Sequence, residues 1–136
     1  MAVLGKIIIS IGALGLLVGA PIADFDVTHQ YNPRWPPHAK FHNAQTISLS
    51  IMLGLLTLYY TWRRGGGGPG NRKDNLFAAL VCGSIYWAAG FCAYFFPGTS
   101  GLDPEHGGPG FPQAPIFGGF WALAVMGWAL QRFLGL

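Results

Sequence analysis

Four long apolar stretches constrain the fold of this chain more than any other feature of its sequence. A helix that crosses the hydrocarbon core of a bilayer needs about 20 residues at roughly 1.5 Å rise per residue, and each stretch is close to that length. The charged fraction is 10%, against about 25% in soluble domains. We therefore predict one all-α membrane domain over residues 1–136, a bundle of four transmembrane helices. The predicted spans are residues 3–22, 43–62, 75–96 and 115–134.

The first span also has features of a secretory signal. Lys6 precedes an apolar run that ends in small residues before Pro21. Asp24 and His29 follow at once, so cleavage of a signal peptide here would leave an irregular polar segment at the N-terminus of the mature protein. A retained span is therefore the simpler interpretation, and Pro21 is expected to end its helix.

The basic residues indicate how such a bundle would sit in a membrane. Four spans would place both termini and the glycine-rich linker 63–74 on one side, and the polar loops 23–42 and 97–114 on the other. Six of the eight Lys and Arg residues fall on the first side, which the positive-inside rule makes cytoplasmic. The polar loops would then face the lumen of the endoplasmic reticulum. Because the orientation of the helices in the membrane accounts for the positive charge, the lipid bilayer is a predicted partner and nucleic acid is not.

The titratable residues gather on the predicted lumenal side. Four of the five acidic residues and all four histidines lie in the two polar loops. Ordinary solvated loops also carry such residues. His38 and His42 differ, because they lie four apart on one helix face where the chain enters the membrane. An ionisable group at that position is by default a candidate functional group.

This set of side chains suits acid–base catalysis on a lipophilic substrate. A neutral imidazole or a carboxylate can activate water, while a protonated carboxyl group or an imidazolium ion can donate to a developing alkoxide. Covalent catalysis is not predicted, because no Gly-x-Ser-x-Gly motif is present and Cys82 and Cys92 lie in an apolar stretch. These cysteines would lie about 15 Å apart along one helix, so they are not expected to form a disulfide.

Two other interpretations stay open. His38 and His42 have the spacing of metal ligands on a helix and could bind a divalent ion together with Asp24, Asp26 or His29. Against a metal-dependent enzyme, the complete His-Glu-x-x-His motif is absent, and a lysine between the two histidines would oppose a cation. The third interpretation is a non-enzymatic membrane binding or scaffold protein, which rests on the aromatic content of 15%.

The segment that joins the first two spans resembles part of a known family. Its pattern is Asp26-x-x-His29-x-x-Asn32-Pro-x-Trp35-Pro-Pro-His38-Ala-Lys-Phe-His42. In this pattern, in size and in predicted topology, the chain resembles the small membrane epoxide hydrolases of fungal polyene-pyrone polyketide pathways, of the aurovertin and citreoviridin type. The resemblance implies a role in secondary metabolism. The implied reaction is the opening of an epoxide by water, or by an internal hydroxyl group that forms a cyclic ether.

Epoxide opening needs a donor to the leaving oxygen and a base for the nucleophile on the opposite face. We expect the two polar loops to supply these two faces. The predicted catalytic residues are Asp26, His38, His42, Asp103 and Glu105. The predicted substrate-binding residues are Asp24, His29, Asn32, Trp35, Gln45, Trp87 and Tyr94. No cofactor and no metal ligand are predicted for this reaction, and the small residues of the first span would also allow a homodimer.

Overall fold

The computed structural model describes residues 3–64 and 69–135. Its four long helices are α1 (Leu4–Asp24), α2 (Pro37–Trp62), α3 (Pro69–Ala93) and α4 (Ala114–Ala129). α4 continues into a π-helical turn, Leu130–Leu134, and the loop before α4 contains a short 3₁₀ turn, Pro104–His106. No β-strand occurs within the described ranges. The predicted all-α class is thereby confirmed.

Proline sets the beginning of α2. Pro37 occupies the first turn, where its fixed φ suits a helix and its missing N–H needs no partner. The helix therefore begins before the span predicted at 43–62, and both His38 and His42 are helical.

The linker predicted at 63–74 is only partly a linker. Residues 65–68 lie outside the described residues, while 69–74 form the beginning of α3. The glycine-rich composition favoured a longer connection. The polar residues that follow the glycines instead belong to the first turns of α3.

Pro21 does not end α1, contrary to the expectation from sequence. The helix runs through it to Asp24, and the N–H of Phe25 still donates to the carbonyl oxygen of Pro21 at 3.1 Å. A proline in the last turns of a helix removes its own N–H donor, whereas its carbonyl remains available to the following turn. The extra turn places Asp24 on the helix instead of in the loop.

Hydrogen bonds between α1 and α2 show that the two helices are antiparallel. The indole Nε1 of Trp62 donates to Ser10 Oγ at 2.9 Å, and at the opposite end Asn43 Nδ2 donates to the carbonyl oxygen of Asp24 at 3.2 Å. α1 packs against α2 and α4, and α3 packs against the same two helices, so the helices follow one another around the bundle. Both polar loops therefore lie at one end of the bundle, which we call the loop end.

The two faces of α1 distinguish the interior of the bundle from its surroundings. The buried face consists of small and apolar residues, namely Gly5, Ile9, Gly12, Ala13, Gly15, Leu16 and Ala20. The outer face carries a stripe of exposed large apolar side chains, namely Ile7, Ile11, Leu14, Val18 and Ile22. Such a stripe is unfavourable in water but not in lipid, whose chains are equally apolar.

Three helical segments are long and apolar enough to cross a membrane, namely Leu4–Asp24, Asn71–Ala93 and Ala114–Leu134. α2 is 26 residues long but carries polar side chains in its first turns, and it is not among these segments. The composition of the helices is thus consistent with a membrane protein.

Close contacts hold α1 to its two neighbours. A methyl group added at Gly127 of α4 would lie 2.6 Å from the carbonyl oxygen of Gly5, so glycine is what lets the two helices approach. On the other side, the buried Ser50 hydroxyl of α2 donates to the carbonyl oxygen of Leu16 at 2.6 Å. Small residues and interhelical hydrogen bonds are the usual means of association in lipid.

Candidate active site

A cavity of about 830 Å³ lies at the loop end of the bundle. All four helices, the loop between α1 and α2 and the loop before α4 line it. Its volume falls within the range of about 300–1,000 Å³ that is typical of small-molecule sites. Most of its wall is apolar or aromatic. The polar side chains on the wall are Asp24, Thr28, His29, Thr46, Tyr86, Thr99, Ser100 and Gln113.

Asp24 and His29 face each other on this wall. Asp24 Oδ1 lies 3.9 Å from His29 Nε2. Their side chains are 18% and 34% exposed, so both are shielded from bulk solvent yet accessible. A movement of about 1 Å would bring the two atoms into hydrogen-bond distance. The pair therefore places a carboxylate close to an imidazole beside an apolar cavity.

Thr28 fixes the orientation of His29. The Thr28 hydroxyl lies 2.6 Å from Asp26 Oδ1 and 2.6 Å from His29 Nδ1, and the Thr28 N–H donates to the same carboxylate at 2.9 Å. Because a carboxylate only accepts, the hydroxyl donates to Asp26 and accepts from His29 Nδ1–H. The lone pair of His29 is then on Nε2, the atom nearest Asp24, as a general base requires.

Asp26 holds the Thr28 hydroxyl in this orientation although it does not line the cavity. Its hydrogen bond from the Thr28 hydroxyl holds the pKa of the Asp26 carboxyl below its ordinary value, with smaller contributions from the backbone and from His29. An ionised Asp26 keeps the Thr28 hydroxyl pointing away from His29. In this structure Asp26 orients Thr28 and does not line the cavity. Its predicted catalytic role stays a prediction.

Asn32 and Trp35 support the same loop without lining the cavity. Asn32 is 2% exposed, its Oδ1 accepts from the N–H of Arg34 at 2.9 Å, and its Nδ2 donates to the carbonyl oxygen of Thr28 at 3.4 Å. The Trp35 ring meets the His29 ring edge to face, with centroids 5.2 Å apart. Both side chains therefore position the loop that carries Thr28 and His29.

Asn43 anchors this loop to the helices. Its buried Nδ2 donates to the carbonyl oxygen of Asp24 at 3.2 Å and to Gln30 Oε1 at 3.1 Å. One amide thereby joins the end of α1, the loop and the beginning of α2.

Aromatic side chains form another part of the wall. Trp87, 2% exposed, stacks on Phe120 with centroids 5.1 Å apart, and Tyr94 stacks on Phe111 at the same distance. Tyr86 lines the same cavity. The two aromatic residues that the sequence assigned to substrate binding, Trp87 and Tyr94, thus both line the cavity.

His38, His42 and Gln45 lie outside the cavity wall, on an exposed face of α2. His42 Nε2 lies 3.0 Å from His38 Nε2, and His42 Nδ1 lies 3.2 Å from Gln45 Oε1. Thr46, one turn further along α2, does line the cavity. The two histidines are neighbours, as their spacing predicted, but neither lines the cavity with Asp24 and His29.

Asp103 and Glu105 also lie outside the cavity wall, in an exposed part of the loop before α4. Glu105 forms ion pairs with Arg34 and, at 3.3 Å, with His106. The pair with Arg34 joins the two polar loops. The loops therefore meet, as the sequence suggested, but they do so through a surface ion pair.

The combined metal site that was left open is not assembled. In the part of the chain that the structure describes, no group of three or more His, Cys, Asp or Glu side chains is placed to hold a metal ion. Asp24, Asp26 and His29 contact one another instead of the α2 histidines. Both cysteines are free, as their separation predicted.

Six of the polar wall residues were not assigned to the site from sequence, namely Thr28, Thr46, Tyr86, Thr99, Ser100 and Gln113. For Thr28 a local signal existed, because Asp26-Val-Thr28 has the spacing at which an Asp side chain bonds the backbone two residues on. Tyr86 and Gln113 gave no such signal, since their contact with the cavity depends on how α3 and α4 pack.

Comparison with known proteins places the chain in a family without assigning it an activity. No curated protein and no solved structure matches it. The family of unknown function DUF6640 matches residues 8–134, most of the chain. The protein with this cavity and its Asp24–His29 pair therefore belongs to the DUF6640 family.

Proposed function

We propose that this protein is a membrane-embedded enzyme that opens an epoxide on a lipophilic, polyketide-like substrate by acid–base catalysis. The observation that carries the proposal is the Asp24–His29 pair on the wall of an otherwise apolar cavity, with His29 Nδ1 held by Thr28. The epoxide as reacting group rests on the resemblance of residues 26–42 to membrane epoxide hydrolases.

In the proposed reaction, water or an internal hydroxyl group attacks an epoxide carbon and gives its proton to His29 Nε2. The carbon–oxygen bond breaks, and the released oxygen takes a proton from the hydroxyl of Tyr86 on the cavity wall. Asp24 stabilises the imidazolium ion that forms. The proton on His29 then restores Tyr86, so that the site returns to its starting state.

The shape and lining of the cavity support a flat, lipophilic substrate. The stacked pairs Trp87–Phe120 and Tyr94–Phe111 offer ring faces for an unsaturated chain. A substrate would place its reactive end at Asp24 and His29, the carboxylate and the imidazole of this wall.

We further propose that all four helices cross the endoplasmic reticulum membrane, with both termini cytoplasmic and the loop end lumenal. α2 is 26 residues long, or about 39 Å at the usual rise, which exceeds a hydrocarbon core of about 30 Å. At the end opposite the cavity, Lys6 lies over the Trp62 ring at 5.3 Å and Arg72 bonds Gln131 at 3.4 Å. Basic and aromatic side chains of this kind favour a cytoplasmic interface.

The test is turnover of a lipophilic epoxide by the purified chain in lipid nanodiscs, in water enriched in oxygen-18. Each of the variants His29→Gln, Asp24→Asn and Tyr86→Phe should lower kcat/KM by about 10²–10⁴-fold, the usual contribution of a proton-transfer group. Incorporation of one labelled oxygen would indicate hydrolysis, whereas an unlabelled cyclic ether would indicate attack by an internal hydroxyl group.

His106→Gln and Asp74→Asn are matched controls, because they make the same chemical changes away from the cavity. Both should retain wild-type turnover. Full activity of His29→Gln together with Asp24→Asn would rule out the proposed site. If the wild type turns over no epoxide and instead retains a stoichiometric protein partner, the scaffold interpretation is favoured.

A further inference from the structure

The two histidines at the beginning of α2 are outside the proposed catalytic site, yet their ring nitrogens converge. His38 Nε2 and His42 Nε2 lie 3.0 Å apart, with the rings nearly perpendicular and their centroids 4.5 Å apart. From this geometry we propose that His38 and His42 form a chelating site for a divalent transition-metal ion such as Zn²⁺.

The separation of the two nitrogens suits simultaneous coordination. Imidazole nitrogens bind zinc at about 2.0–2.1 Å. Two such nitrogens then lie roughly 2.9–3.4 Å apart when the nitrogen–metal–nitrogen angle is between a right angle and the tetrahedral angle. The observed 3.0 Å falls inside this range. In the metal-free state this contact is a hydrogen bond from one Nε2–H to the other Nε2, so metal binding replaces that proton and requires the other tautomer of the donating ring. Two imidazole ligands favour Zn²⁺, Cu²⁺ or Ni²⁺ over Mg²⁺ or Ca²⁺, which prefer oxygen.

Gln45 orients His42, one of the two proposed metal ligands. Its Oε1 lies 3.2 Å from His42 Nδ1, and because an amide oxygen only accepts, the proton of a neutral His42 belongs on Nδ1. The lone pair of His42 is then on Nε2, the nitrogen that faces His38. A hydrogen-bond partner on the distal nitrogen is the usual way in which proteins orient a metal-bound histidine.

The surroundings leave the site open to ions. Both rings are exposed, and α2 is about 9 Å longer than a hydrocarbon core, so its first turns can extend into the aqueous interface. Lys40, two residues from each histidine, lies roughly 200° around the helix and so does not face the pair. Lys40 lies between the two histidines in the sequence, but on the helix it does not oppose a cation bound by them.

The coordination by protein is incomplete. No third His, Cys, Asp or Glu joins the two histidines among the described residues, so water or an external ligand would fill the remaining positions. Such sites with open positions are the kind that bind an exchangeable ligand. The site is one turn of α2 from Thr46 of the cavity wall and separate from Asp24 and His29.

The test is metal binding by the full chain in detergent, after removal of any purification tag. Zn²⁺ affinity is measured by calorimetry, and Cu²⁺ is used as a spectroscopic probe whose paramagnetic resonance spectrum counts bound nitrogens. We expect one ion per chain and two nitrogen ligands. His38→Gln and His42→Gln should each lower the affinity at least tenfold, and Gln45→Leu should lower it by about tenfold, as for other residues that orient a ligand.

His106→Gln serves as the control, since it removes an exposed histidine that is not part of the pair. It should leave both the affinity and the two-nitrogen spectrum unchanged. Equal affinity of the wild type and the His38→Gln/His42→Gln double variant would overturn the proposal. Circular dichroism checks that each variant keeps its helices, so that a loss of binding reports on the ligands themselves.

Discussion

At the scale of single residues, Thr28 determines the chemistry available to its neighbours. Without its hydroxyl, Asp26 would be a surface carboxylate and His29 would be free to adopt either tautomer. With it, one chain of hydrogen bonds runs from the Asp26 carboxylate to His29 Nδ1. The tautomer of His29, and with it the lone pair that faces Asp24, is therefore set by a residue that has no titratable group of its own.

Replacing Thr28 with valine should raise the pKa of Asp26 toward its ordinary value, because the hydrogen bond from the hydroxyl is the largest cause of its lowering. Thr28→Ser retains a hydroxyl and should keep the pKa low. The measurement is a carbon-13 NMR titration of the Asp26 carboxyl group. An unchanged pKa in Thr28→Val would show that the hydroxyl does not bind Asp26.

The same pKa makes a prediction about stability. A carboxyl group whose folded-state pKa is lowered contributes stability that is fully present above its unfolded pKa of about 3.9 and is lost as the pH falls through the folded value. Acidification through that window should therefore destabilise the wild type more than Thr28→Val. Thermal unfolding at a series of pH values between 6 and about 2 measures this difference.

At the scale of helices, the contact between α1 and α4 depends on the absence of a side chain at Gly127. Gly127→Ala should lower the free energy of unfolding by about 1–3 kcal/mol, because the added methyl group would meet the backbone of α1 at Gly5 and Ile9. Gly119→Ala is the control on the same helix, since nothing lies within 4 Å of a methyl group there. Equal stability of the two variants in detergent unfolding would contradict the packing.

The contact between α1 and α2 contains a hydrogen bond that can be removed alone. Ser50→Ala should cost about 0.6–2 kcal/mol, the range for interhelical hydrogen bonds in membranes, because it leaves the carbonyl oxygen of Leu16 without the Ser50 donor. Ser48→Ala, at an exposed position of the same helix, should have little effect. Denaturation of both variants in mixed micelles makes the comparison.

At the scale of the whole molecule, the proposed topology predicts which parts of the chain a reagent can reach. In a background with Cys82 and Cys92 replaced by alanine, Arg64→Cys should react with an impermeant maleimide in sealed microsomes. Val27→Cys, which is exposed at the loop end, should react only after the membrane is opened. The reverse pattern would place the cavity on the cytoplasmic side.

Much of the architecture was predictable because its causes are local in the chain. Apolar stretches and prolines act within a few residues of their own positions, which is why the helical class and the beginning of α2 at Pro37 follow from them. Pro21 is the exception, because the helix continues past it to Asp24 and its carbonyl oxygen still accepts from the N–H of Phe25. The extra turn of α1 that resulted places Asp24 on the cavity wall.

The sequence by itself determined the helical class, the polar segment between the first two spans, and the adjacency of His38 and His42 on one helix face. Only the tertiary structure decided which polar residues share the cavity, namely Asp24 and His29 with Tyr86 from a distant helix. The reason is physical: helical periodicity relates residues within a few positions, whereas a cavity is defined by the packing of segments that are far apart in the chain.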